Sequence, residues 1–453
     1  MDEKILELIE GKRYVRLREE LSSLQPADLA PIFEEIPERE RPVIFRILPK
    51  ELAAEVFVEM ESDMRRQLIE DFSDSELKEV MDELFMDDTV DIIDEMPAIV
   101  AKRILAQTSP KTRSIINRLL AYPDDSAGSI MTTEYIDLKL DMTVNDAFER
   151  IRKIGVNTEN IYTGYVTDRS RRLLGIVSVK DLLLSGRDTL ISEIMDENII
   201  FAETHDDKEA VAGLFEKYDM LALPVVDKEN RLVGIITVDD AIDVLQEEAS
   251  EDIEKMAAIL PSERTYLKTG VFETFRARLP WLLFLMISAT VTGAIISSFE
   301  SKLTIYSALI AFIPMLMGTG GNSGSQSSVT VIRALSLGEI EFRDILRVIW
   351  KELRVALACG IVLGFVNLIK LYLIDYLLLH SFDAGHVIPE MLTVCATLVF
   401  VVIVAKLVGS ILPIIAKKIG FDPAVMASPL VTTILDAVSL IIYFAIASSL
   451  LNI

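Results

Sequence analysis

Cysteine and histidine are scarce, with two and three copies in 453 residues. Cys359 and Cys395 lie far apart in apolar stretches, so no disulfide framework is implied. Zinc would want thiolate and imidazole ligands, and those residues together with His205, His380 and His386 are a thin supply. The ligands of hard cations such as Mg²⁺ and Ca²⁺ are instead plentiful, with 70 Asp and Glu against 45 Lys and Arg. No nucleophile–base pair, P-loop or metal-hydrolase spacing occurs, so an enzyme is not expected. An acidic chain also lacks the basic face that nucleic acid requires. The first thirty residues are charged throughout and do not read as a secretory leader, so the N-terminus is expected in the cytoplasm.

The charge is unevenly spread. From Trp281 onward ten acids balance ten bases, which leaves 60 acids and 35 bases in residues 1–280. The whole net charge of −25 therefore falls on the first part, and the two parts are expected to sit in different solvents. The acidity suits cations as partners, and it also keeps a domain soluble.

In residues 1–125 apolar residues recur every twelve positions: Leu24, Ile36, Leu48, Met60, Phe72, Leu84 and Met96. Helix starters follow most of them, at Pro37, Pro49, Ser73 and Pro97. This period predicts one short helix and a tight turn per unit, stacked into a superhelix. Residues 126–190 and 191–245 are two related units of mixed α and β structure. Met131 corresponds to Met195, Gly175 to Gly234 and Asp181 to Asp240. Their LLGIVSV and LVGIITV runs read as short strands, and the pair resembles tandem cystathionine-β-synthase (CBS) domains. Residues 246–275 follow as a charged linking helix.

Residues 276–453 carry five apolar runs long enough to cross a bilayer, at about 280–299, 304–333, 350–378, 390–415 and 426–450. Lys268, Arg276 and Arg278 precede the first. Arg333, Arg343, Arg347, Lys351 and Arg354 lie between the second and third, and Lys417 and Lys418 between the fourth and fifth. The 380–389 loop has no base, and the 300–303 loop has only Lys302. The positive-inside rule then predicts a multi-pass protein of the cell (inner) membrane, N-terminus inside and C-terminus outside.

Three features of this part could carry transport. Asp436 is the one acid in the fifth span, where a carboxylate costs roughly 2.5–3.5 kcal/mol and so faces a cavity or a partner. The run PMLMGTGGNSGSQSS, with Gly320, Gly321 and Asn322, reads either as irregular backbone along a wet path or as a small-residue packing seam. In FDPAVMASPLVTT, Pro429 is predicted to free a carbonyl near Val425, close to Ser428 and to Thr432, which shares a helix face with Asp436. One carboxylate and a few hydroxyls fit a cation that keeps its water. A gated channel, a cation exchanger coupled to H⁺ or Na⁺, and a membrane-anchored sensor that transports nothing all remain open. The polar run and Asp436 argue against the last.

Those two motifs, with the order of helical domain, CBS pair, linking helix and five spans, resemble the MgtE family of magnesium transporters over essentially the whole chain. The resemblance implies a homodimeric, Mg²⁺-selective channel with its pore on the dimer axis and Asp436 as pore carboxylate. Ser428 and Thr432 depart from the family pattern of Asn and Ala. It also implies closure by cytosolic Mg²⁺ bound between acidic surfaces. Candidate sensor residues are Glu55, Asp87, Asp91, Asp207, Glu209, Asp219, Asp240, Asp243, Glu248, Glu251 and Asp252. Asp87 and Asp91, four apart, share a helix face. The CBS pair is a further candidate site for ATP, with Asp181 and Asp240 near the ribose.

Overall fold

The computed structural model describes residues 3–262, 266–299, 306–379 and 387–451, apart from the side chains of residues 3, 157, 307 and 428. The chain forms two compact units, Met1–Gln246 and Glu247–Ile453.

The first unit opens with ten short helices: α1 (Glu3–Glu10), α2 (Tyr14–Leu21), α3 (Pro26–Glu35), α4 (Arg41–Ile47), α5 (Lys50–Val58), α6 (Ser62–Asp71), α7 (Asp74–Met81), α8 (Met86–Glu95), α9 (Ala98–Gln107) and α10 (Pro110–Leu119). The twelve-residue period marks their ends. Ile36, Leu48, Phe72 and Met96 each take extended backbone right after a helix and are buried. Pro49, Ser73 and Pro97 then begin the next helix, and Ser73 forms a reciprocal capping box with Glu76.

Pro37 is the exception. Residues 37–40 form a turn closed by Glu40 N–H donating to the Pro37 carbonyl (2.8 Å), and α4 waits until Arg41. Starting at Arg41 puts Pro42 in the first turn, where its missing N–H breaks no helical bond. Alternate helices pack together, α3 on α5, α5 on α7 and α7 on α9, with α2 on α4 and α4 on α6. Phe33, Phe45 and Phe57, one period apart, meet edge to face at 6.2 and 6.0 Å along the core.

The CBS pair follows. The first sheet has β1 (Tyr135–Leu138) parallel to β2 (Asn160–Thr167), which is antiparallel to β3 (Leu173–Ser178). Helices α11 (Val144–Ile154) and α12 (Val179–Leu184) flank it. The second repeats the plan: α13 (Ile191–Ile194), β4 (Ala202–Glu203), α14 (Lys208–Tyr218), β5 (Ala222–Val226), β6 (Leu232–Thr237) and α15 (Val238–Met256). The two halves exchange their leading segments. Thr132 pairs with Ile235 of the second sheet, and Asp196 with Ile176 of the first. Met131 accordingly packs on Gly234 and Met195 on Gly175, where a side chain would displace the sulfur.

Helix α15 ends earlier than the predicted linking helix. Ala258 takes a left-handed conformation (φ 56°), and Ile259 N–H reaches back to the Glu254 carbonyl (2.9 Å) in a Schellman-type stop ahead of Pro261. No helix is present in the described residues from 257 to 270.

The second unit holds five long helices among the described residues: α16 (Val271–Ser298), α17 (Ile313–Ser336), α18 (Ile345–Lys370), α19 (Val387–Lys418) and α20 (Ser428–Leu451). The segments holding α16, α18, α19 and α20 are long and apolar enough to cross a membrane. Helix α17 carries the Gly-Asn-Gln run instead of a uniformly apolar sequence and packs against both α19 and α20. Its backbone meets that of α19 so closely that a Cβ on Gly409 would strike the Gly324 carbonyl.

Candidate functional site

Helix α8 sets a row of acids against the CBS pair within the first unit. Asp87 and Asp88 occupy its first turn, and its leading amide, Met86 N–H, donates to Glu134 Oε2 (3.1 Å) just before β1. Glu159 precedes β2, and its amide donates to the Glu134 carbonyl (3.3 Å). Asp240 stands in the first turn of α15 and accepts from the Thr237 hydroxyl (2.6 Å). Carboxylate oxygens of Asp87, Glu159 and Asp240 lie within 4.8 Å of one another. Asp87 is buried, and neither its Oδ1 nor Glu159 Oε2 has a hydrogen-bond donor.

Three anions cannot share that space unaided. Burial, reinforced by Glu159 and Asp240, raises the pKa of Asp87, and burial with the charge of Asp240 raises Glu159 as well. Burial raises Asp240 above the normal range, although the Thr237 hydroxyl opposes the shift. Asp88 is pushed up to about 6 by burial and by Asp240. Asp91, one turn along α8, is exposed at the rim; loss of water around its carboxyl and the charge of Asp240 raise it too. Arg65 is the nearby opposing charge, and it is already paired with Glu95.

The arrangement can hold protons or a hard cation. Inner-shell oxygens across Mg²⁺ sit about 4.1 Å apart, so the observed spread suits an ion that retains part of its water. Of the predicted sensor residues, Asp87, Asp91 and Asp240 converge here, and Asp243 lies beyond on α15. Glu159, Glu134 and Asp88 were not predicted. Glu55, Asp207, Glu209 and Asp219 are exposed and are not brought into this cluster. Asp207 instead caps α14 through Ala210 N–H (3.0 Å). Asp240, also predicted beside a nucleotide, is turned to the acids by its bond to Thr237.

A second acidic group lies in the other unit. Lys255 Nζ, at the end of α15, pairs with Glu251 (2.6 Å) and with Asp422 (2.7 Å) before α20. Burial works against the lysine charge, but the bonds to Asp422 and Glu251 outweigh it and raise its pKa. Burial and Asp422 raise Asp252, which Ser336 holds by a hydrogen bond. The predicted sensors Glu251 and Asp252 are thus partly neutralised by a side chain, with Glu248 one turn earlier.

Among the transport candidates, Thr432 and Asp436 lie one turn apart on α20, both partly exposed. The Thr432 hydroxyl is 3.3 Å from that of Ser325, and its methyl packs on Gly321. Gly320 and Gly321 are buried against α20 and form a packing seam, while Asn322 is exposed on the other side of α17 with Gly318 and Gln326. Pro429 is the second residue of α20, where its missing N–H breaks no helical bond, so Val425 lies in the short turn before the helix rather than within it. The Met426 carbonyl is taken by the Ser328 hydroxyl (2.8 Å). The side chain of Ser428 lies outside the described residues. A buried network went unread in the sequence: Ser327 donates to Glu352 (2.7 Å), and Lys406 Nζ lies 3.4 Å from the Ser327 oxygen.

Apolar helices, an intramembrane carboxylate beside hydroxyls and a CBS pair define a multi-pass membrane protein that handles a hard cation. The family profile described as divalent cation transporter matches residues 313–446; the MgtE intracellular N domain matches 24–125, and CBS domains match 127–187 and 191–247. The magnesium transporter MgtE of Thermus thermophilus is 37% identical over 96% of this chain and 95% of its own length. That of Bacillus subtilis is 34% identical over 100% and 98%. A crystal structure of the cytosolic domain of the Mg²⁺ channel MgtE in complex with ATP, 35% identical, covers 53% of this chain and 99% of its own, with a TM-score of 0.50. The chain belongs to the MgtE family of magnesium transporters, and its activity is Mg²⁺ transport rather than enzymatic.

The raised carboxyls give a signed prediction. In the folded state these groups bind protons that the unfolded chain has released above its ordinary carboxyl pKa of about 4. Stability without metal therefore falls as pH rises from about 4 through the raised values, about 6 for Asp88 and above the ordinary range for Glu159. In chelator, the melting temperature of the full chain should drop between pH 5 and pH 8. Mg²⁺ should reverse the drop, and Glu159→Gln should flatten it; a pH-independent melting temperature contradicts the assignment.

Proposed function

We propose that this chain is a homodimeric Mg²⁺ channel of the cell (inner) membrane, closed by cytoplasmic Mg²⁺ through its acidic regulatory unit. The observation that carries this reading is the polar face of α17. Asn322 and Gln326 are exposed in the single chain, beside a helix bearing Thr432 and Asp436. Lipid is a poor neighbour for such groups. A second chain about a two-fold axis would cover them and bring two Asp436 carboxylates to face one divalent charge. Ser428, Thr432 and Asn322 would line the path, with Gly320 and Gly321 allowing the helices to close around it. A carboxylate-and-hydroxyl lining suits Mg²⁺ held through its own water. The basic loops support a cytoplasmic N-terminus and an external C-terminus.

Regulation follows from the acids. At low Mg²⁺ the cluster of Asp87, Glu159 and Asp240 repels itself. Rising Mg²⁺ binds there, favours the compact arrangement and shifts the population toward a closed pore.

Inside-out patches test both parts. Mg²⁺ current should fall as bath Mg²⁺ rises through the millimolar range. Asp436→Ala should abolish the current; full current in that variant contradicts the pore assignment. Asp87→Asn with Glu159→Gln should keep the current and move inhibition to roughly tenfold higher Mg²⁺; unchanged inhibition contradicts the regulatory site.

The CBS pair also has a cavity of about 740 Å³, lined by Tyr162, Ser178, Lys180, Asp219 and Pro224 among others. A relative's cytosolic domain was solved in complex with ATP. Here Tyr162 offers an aromatic face and Lys180 a cation for phosphate, while Asp181, the predicted acceptor for ribose hydroxyls, follows Lys180 at the start of α12 outside the lining. Calorimetry of the full chain should show binding heat for ATP that Lys180→Ala weakens; absence of heat ends this part of the reading.

A further inference from the structure

A second large cavity, of about 910 Å³, opens between the end of α17 and the start of α18. Its lining includes Arg333, Arg343, Arg347 and Lys351. Two of these are neutralised locally, Arg343 by Glu341 (3.1 Å) and Arg347 by Asp344 (2.9 Å). Arg333 and Lys351 have no ion-pair partner among the described residues. The other walls are mixed: Val329, Ile340 and Val348 are apolar, Glu339 adds a carboxylate, and Glu352 at the inner end is engaged by Ser327.

The surroundings place this cavity at the level of a membrane interface. Trp350 is 59% exposed beside it, with Arg354 stacked over its ring at 5.6 Å. Phe342 and Leu346 are exposed nearby, and Lys418 sits 3.5 Å from the Phe342 ring centre. Beyond Arg354 the described part of α18 carries no charge until Lys370. Exposed indole, cations with long apolar stems and the onset of an apolar span are the composition of the headgroup layer.

We propose that this cavity binds the phosphodiester headgroup of an anionic phospholipid. Arg333 and Lys351 hold the phosphate, and the acyl chains run down the apolar wall at Val329 and Val348. Unpaired cations match the anion, the apolar wall matches the tails, and a basic pocket between membrane helices is a recurrent lipid-recognition chemistry. Occupancy would also press on the end of α17, where Ser336 is bonded to Asp252 of α15.

Native mass spectrometry of the full-length protein, extracted from bilayers of phosphatidylcholine and phosphatidylglycerol, tests the site. The wild type should retain phosphatidylglycerol, and Arg333→Gln with Lys351→Gln should lower retention by roughly tenfold or more. Arg354→Gln, a neighbouring cation outside the cavity, should retain it, as should the charge-preserving pair Arg333→Lys with Lys351→Arg. Photoactivatable phosphatidylglycerol added to wild type should cross-link within residues 329–352, a readout that needs no variant. Equal loss in Arg354→Gln, unchanged retention in the double variant, displacement by millimolar inorganic phosphate or absence of cross-links in that stretch would each overturn the proposal.

Discussion

Mutual repulsion among Asp87, Glu159 and Asp240 is the constraint on which the packing of α8 against the CBS pair depends. Each would be unremarkable on a wet surface. Within 4.8 Å of one another, with Asp87 buried, they stay together only with bound protons or a cation. The fold builds this conflict from three separate places. Asp87 stands on a helix locked into the repeat core, Glu159 at the start of a sheet strand, and Asp240 on the first turn of α15. On the proposed function, relieving the conflict with Mg²⁺ would favour the arrangement that brings those elements together, and ion concentration would set a conformational equilibrium. Helix α15 is 19 residues long, and near its end Lys255 pairs with Asp422.

The membrane unit manages polarity differently. Small residues let α17 pack on α19 and α20, as at Gly324 against Gly409, while the opposite face of the same helix keeps Asn322 and Gln326 exposed. One sequence run thus provides both a packing seam and an exposed polar face. The buried Glu352–Ser327–Lys406 network adds a charge pair bridged by a hydroxyl, so neither charge is stranded in an apolar interior.

The repeat architecture was legible because its period sits at chain reversals, where burial and capping act on the same few residues. Pro37 misled because residues 37–40 close a turn of their own before α4 begins at Arg41, with Pro42 in its first turn. Asp87, Asp91 and Asp240 were legible as helix-borne acids. Glu159 was not, since it stands alone in a turn with no periodic partner, and only tertiary folding carries it to Asp87 and Asp240. The linking helix was overestimated because its charged pattern continues past Met256, while the left-handed Ala258 and Pro261 stop it. Pro429 read as lying inside the fifth span because its place relative to the helix start is set by the short turn Pro423–Met426.

Hydrogen–deuterium exchange along α8, followed in the full-length protein at pH 7.5 with and without Mg²⁺, addresses the central claim most directly. Relief of carboxylate repulsion should slow exchange of the amides from Met86 to Glu95 when Mg²⁺ is added, and the effect should disappear in Asp240→Asn. Identical exchange with and without the ion, or protection that survives Asp240→Asn, would contradict the account.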